Sequence, residues 1–93
     1  MIVSFRDRMT RRVFHRERVR EIDQCVQHIA QRKLVMLHAA EALDELKSPP
    51  GNRLEKLSGN RQGQYSIRIT DQWRICFRWQ NGAAHDVQIT DYH

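Results

Sequence analysis

The stretch SPPG at residues 48–51 divides the chain into two parts with different hydrophobic periods. Pro49 and Pro50 lack a backbone N–H and have a fixed φ, so a helix that runs into them must stop. Before them the apolar residues recur at helical spacing. Ile22, Val26, Ile29, Leu37 and Ala40 form the stripe, Ala30 and Leu34 widen it, and Lys33 interrupts it. No Gly or Pro falls within residues 22–46, the predicted main helical region, and a break near residues 39–41 divides it into a long helix and a short one.

After Gly51 the period becomes 2. RLEKL reads as a brief strand, and SGNRQG as a loop with two glycines and an Asn. QYSIRI alternates, with Tyr65, Ile67 and Ile69 on one face and Gln64, Ser66 and Arg68 on the other. A TDQ turn leads to WRICFRW, where Trp73, Ile75, Phe77 and Trp79 oppose Arg74, Cys76 and Arg78. Asn81–Gly82 is the strongest short hairpin signal in the chain. AHDVQITDYH is the last strand, with Val87 and Ile89 facing inward.

Ahead of the helical region, IVSF is short and β-prone and reads as a first strand. MTRRVFHRER reads as a short arginine-rich helix, with Thr10 as N-cap and Met9, Val13 and Phe14 on one apolar face. Helices followed by consecutive antiparallel strands make an α+β fold. The expectation is a single domain over residues 1–93, its N-terminal strand and helices packed on one face of an antiparallel sheet. The other face is expected to be open and polar.

The bulk properties narrow the function classes. No apolar run approaches the roughly 20 residues that span a bilayer. The N-terminal MIVSFRDRMTRR lacks an apolar signal core with a small-residue cleavage site. A cytoplasmic protein without a membrane partner is expected. Cys25 and Cys76 are too few and too far apart for a disulfide framework or a zinc site, and are expected to be buried free thiols. Net charge is +5, and residues 1–20 carry seven arginines against Asp7 and Glu17, an excess equal to the charge of the whole chain. A small basic domain of this kind points to a polyanionic partner, nucleic acid first and an acidic protein second.

Strand parity puts Arg68, Arg74 and Arg78 on the open face and adds Gln88, Thr90 and Tyr92 from the last strand. Guanidiniums suit bidentate phosphate contact and a tyrosine offers a π-face to a base. Strict alternation puts Asp91 and His93 on the core side, so the strand is expected to lose its regularity near Thr90 and let both swing to the rim. His15, His28, His38 and His85 are dispersed and have no ligand spacing with the acids. There is no P-loop, dinucleotide fingerprint or nucleophile elbow, and no cofactor is implied. RNA cleavage without a metal needs none of these. The 2′-hydroxyl is the nucleophile, and the protein must align it, move two protons and stabilise a charged phosphorane.

The segment from SPPGNRLEKLSGNRQGQYSIRITDQWRICFRW to ITDYH resembles the HigB, or plasmid-maintenance killer, branch of the RelE-type toxin superfamily. The resemblance covers essentially the whole chain and rests on RLxxLxGxRxGxxSI, WRIxF and the terminal DYH. It implies a RelE-like fold and a toxin of a type II toxin–antitoxin pair. Such toxins are small, basic, metal-independent mRNA endoribonucleases that act in the ribosome, each neutralised by a helix-turn-helix antitoxin (HigA-like here), through which any contact with DNA would be indirect.

The resemblance implies a catalytic set of Arg74, Asp91, Tyr92 and His93. Where relatives carry a loop His and Lys, this chain has Glu55 and Ser58. Two roles stay open for Glu55, a substitute base and a salt-bridging surface residue. Arg53, Lys56, Arg61, Arg68 and Arg78 are the expected RNA-binding residues. The substituted loop also motivates an alternative, a growth inhibitor that binds the ribosome or rRNA without cutting.

Overall fold

The computed structural model describes residues 1–92. Two helices, α1 (Arg8–Phe14) and α2 (Gln24–Ala39), precede four strands, β1 (Glu55–Lys56), β2 (Gln64–Arg68), β3 (Trp73–Gln80) and β4 (Ala83–Asp91). The strands form one antiparallel sheet in the order β1-β2-β3-β4, with the helices against one face. This is the α+β arrangement read from the sequence.

Short 3₁₀ turns join the halves. One covers Leu43–Lys47, so the helical region does break after α2. A second covers Pro50–Asn52 and a third Gly59–Arg61. α1 begins one turn earlier than expected. Asp7, not Thr10, is its N-cap, with Oδ1 accepting from the Thr10 N–H at 2.8 Å. Thr10 is instead fully buried inside the helix, and its hydroxyl accepts from Ile89 N–H at 2.9 Å. That bond ties α1 directly to β4.

The core is made by the two periodicities meeting. Ala30, Leu34 and Leu37 of α2 and Val13 of α1 pack on Ile67, Ile75, Phe77, Val87 and Ile89 of the sheet. Tyr65, Trp73 and Trp79 close its margins. The expected first strand at IVSF forms only two isolated parallel bridges along the outer edge of β4, Ile2–Ala84 and Phe5–Val87. Pairing is interrupted between them because β4 has a bulge there.

The bulge changes the phase of the last strand. Cys76 pairs with Gln88 but Arg78 pairs with His85, so Asp86 and Val87 together span the position of Phe77. Asp86 takes a left-handed φ of 52°, and its N–H donates to Ser4 Oγ at 2.9 Å. As a result Ala84 and Val87 both face the core although three residues apart, and His85 comes to the arginine side across from Arg78. At the β3–β4 hairpin, Asn81 and Gly82 have φ of 52° and 74°, the left-handed pair that a two-residue turn requires.

Two further expectations are corrected. Cys76 is buried, but Cys25 is exposed, because it lies in the first turn of α2 next to the Asp23 cap and away from the sheet. The face opposite the helices is also not uniformly open. Ser66 and Cys76 are fully buried and Arg74 is 8% exposed. The chain at Arg53 meets this face through its carbonyl on Arg74, Tyr92 lies over Arg74, and Arg61 reaches Gln88.

Candidate active site on the arginine face

Register groups the side chains of this face. Glu55 pairs with Ser66, Ser66 with Cys76, and Cys76 with Gln88 in one row across the sheet. Arg68, Arg74 and Thr90 form the next row, and Gln64, Arg78 and His85 another. The three arginines share a pleat side, as the alternation predicts, but do not share one groove. Arg68 is drawn aside by Asp71 in the β2–β3 turn, Nη2 to Oδ1 at 2.5 Å, and this neighbour holds the Asp71 carboxyl below its ordinary range. Arg78 stands exposed at the far end.

Arg74 is the centre of the site. Its Nε donates to Ser66 Oγ at 2.8 Å, and its Nη2 donates to the Arg53 carbonyl at 2.7 Å and to the Ser66 carbonyl at 3.5 Å. Glu55 Oε1 lies 4.0 Å from Nη2, with 55% of its side chain exposed. The Tyr92 ring lies over the same guanidinium, 6.0 Å from carbon to ring centre, within the range of a cation–π contact. Among the described residues, no hydrogen bond engages Nη1 of Arg74.

Tyr92 is placed by the β2–β3 turn. Its N–H donates to the Gln72 carbonyl at 2.5 Å, while Gln72 Nε2 donates to Asp91 Oδ2 at 3.3 Å. The ladder stays paired to Asp91, opposite Trp73. The expected loss of alternation near Thr90 therefore does not occur, because Gln72 holds the end of β4 on both sides of the peptide. Tyr92 follows in phase with Arg74. Burial pushes its phenol above the ordinary value of 10.0, the neighbouring Cys76 thiol adds to the push, and Arg61 and Arg74 pull the other way. Tyr92 is therefore a neutral hydrogen-bonding group at neutral pH.

Arg61 completes the group. Its Nη1 donates to Gln64 Oε1 at 3.2 Å and Gln88 Oε1 at 3.5 Å, which brings a second guanidinium toward Tyr92 from the loop before β2. Lys56 does not join them. It pairs with Tyr65 and so has the opposite pleat phase to Glu55. Arg53 contributes its carbonyl, and its side chain is exposed. His93 lies outside the described residues. Among those residues there is no cluster of three or more His, Cys, Asp or Glu arranged for a metal ion, and no helix is long and apolar enough to cross a membrane.

Sequence reasoning missed Ser66 and Gln72 as neighbours of the site, and His85 as the partner of Arg78 on the same face. Ser66 was legible in parity with Arg74, but the bond between them and the Arg53 carbonyl that holds Arg74 in place were not. His85 depends on the bulge, which no turn residue in AHDVQ announces.

A family model for the RelE-like HigB toxins of type II toxin–antitoxin systems matches residues 3–93. The chain belongs to the HigB-like toxin family. Toxin HigB-1 of Vibrio cholerae is 39% identical over 90 residues, covering 96% of this chain and 95% of that protein. Endoribonuclease HigB of Proteus vulgaris is 42% identical over 41 residues, 44% of this chain and 45% of the relative. In structure, this HigB-like toxin resembles a chain of the YoeB–YefM complex from Staphylococcus aureus. The TM-score is 0.62 at 14% identity, covering 100% of this chain and 98% of the other, and that likeness establishes the shared fold.

Proposed function

We propose that this HigB-like toxin is an endoribonuclease that cleaves mRNA on the ribosome and so inhibits translation. One observation carries the reading. Arg74 is buried and fixed on two edges, and no hydrogen bond among the described residues engages its Nη1, with Tyr92 over the guanidinium and Glu55 beside it. A fixed, water-poor cation stabilises charge that develops on a phosphorane far more than a solvated one does.

In this reading the ribose 2′-hydroxyl attacks the adjacent phosphorus. Its proton passes to Glu55, the 2′-oxygen bonds to phosphorus, and the bond to the 5′-oxygen of the next nucleotide breaks. That oxygen takes a proton from His93, whose reference pKa of about 6.5 suits either direction of transfer near neutrality. Arg74 Nη1 meets the charged phosphorane oxygen. Tyr92 stacks on or orients a base, and Asp91 holds the chain end through Gln72. Arg61, Arg53 and Arg78 bind flanking phosphates.

A helix-turn-helix antitoxin is the proposed partner, and the structurally similar chain is itself part of a complex, YoeB–YefM. A small reading frame of that type beside the gene, able to relieve toxicity on co-expression, supports it. Primer extension on cellular mRNA after induction tests the activity. Breaks placed relative to codons support cleavage, and growth arrest with intact mRNA supports a non-cutting ribosome binder, which the Glu55 and Ser58 loop would suit.

A further inference from the structure

We propose that Ser66, with the carbonyl of Arg53, is a positioning device that aims Arg74 at the substrate. The inference rests on the reading of Arg74 as the charge-stabilising group.

A guanidinium is planar, and its five N–H groups have fixed directions. Fixing two edges therefore fixes the third. Ser66 Oγ takes the Nε edge at 2.8 Å, and the Arg53 carbonyl takes Nη2 at 2.7 Å. Ser66 is fully buried, so no water competes for that acceptor. The edge that remains carries Nη1.

The second clamp is built with equal specificity. Arg53 has φ of 45° and ψ of 57°, a left-handed conformation uncommon for a residue with a Cβ. Its own N–H donates to the Pro50 carbonyl at 3.1 Å, closing the 3₁₀ turn over Pro50–Asn52. Asn52, at the end of that turn, is fully buried, and its Nδ2 donates to the Leu46 carbonyl at 3.1 Å and the Ser48 carbonyl at 3.3 Å. The chain reversal that begins at SPPG thus ends by presenting one carbonyl to Arg74. Ser66 is fully buried and Arg53 enters the clamp only through its backbone carbonyl, so the effect of the clamp passes through the guanidinium.

A double-mutant cycle on the full chain tests this, with programmed ribosomes as substrate and a separate half-saturation measurement. Ser66→Ala should lower the saturated cleavage rate about tenfold and move half-saturation less than about twofold. In an Arg74→Ala background, Ser66→Ala should cost nothing further, because the group it aims is gone. A separate reading needs no variant at the clamp. The Arg74 Nε–H in the wild-type protein, assigned by its loss in Arg74→Lys, should exchange slowly with solvent. Additive losses in the cycle, an unchanged rate in Ser66→Ala, or fast exchange of that N–H would overturn the inference. If Arg74→Ala itself leaves cleavage intact, the functional reading fails instead.

Discussion

The guanidinium of Arg74 lies 6.0 Å from the centre of the Tyr92 ring, and this pair joins the middle of the sheet to the end of its last strand. Neither residue is positioned by its own strand alone. Arg74 is clamped from the Arg53 segment, and Tyr92 is held by the β2–β3 turn through Gln72. The site is thus assembled from the segment before β1 and the β2–β3 turn around one buried cation.

Tyr92 gives a pH dependence with a definite sign. Its folded pKa lies above the ordinary value of 10.0, so the folded state holds the phenolic proton more tightly than the unfolded chain. This stabilisation is intact below about pH 10 and is lost as pH rises through the higher folded value. Thermal unfolding followed across that range should show an alkaline fall that is smaller in Tyr92→Phe.

Thr10→Val should destabilise the fold by about 1–3 kcal/mol, because it removes the acceptor of the buried Ile89 N–H while keeping the volume. At roughly 4–8 °C per kcal/mol for a domain of this size, calorimetry resolves the change. Cleavage per folded molecule should stay near wild type.

Asn52→Ala should lower stability by about 2–3 kcal/mol, since the Leu46 and Ser48 carbonyls both lose a donor. Its second effect distinguishes it from Thr10→Val. The Pro50–Asn52 turn loosens, the Arg53 carbonyl loses its direction, and the cleavage rate should fall even well below the melting temperature.

Arg61→Ala and Lys56→Ala should differ. Arg61 reaches the Tyr92 side of the site, whereas Lys56 has the opposite pleat phase. Arg61→Ala should weaken RNA engagement and reduce its salt dependence, and Lys56→Ala should change neither much. Titration of programmed ribosomes at two salt concentrations separates them.

The sheet, its order and its hairpin were legible because period 2 and Asn81–Gly82 are local signals. The break of the helical region and the shared pleat side of Arg68, Arg74 and Arg78 followed from the same patterns. The rest depended on contacts between distant segments. Asp7 displaced Thr10 as the cap because Thr10 serves β4, and the bulge at Asp86 brought His85 to the polar side. Arg74 lies on Ser66 and is held there by a backbone carbonyl, which has no sequence signature.

The most direct test is the cleavage rate of purified Arg74→Ala against wild type on mRNA in programmed ribosomes, with circular dichroism confirming that both are folded. Loss of one preorganised charge-stabilising group should slow cleavage about 10²–10³-fold, with Toxin–ribosome binding largely retained. A folded Arg74→Ala protein that cuts at the wild-type rate would contradict a site centred on this arginine.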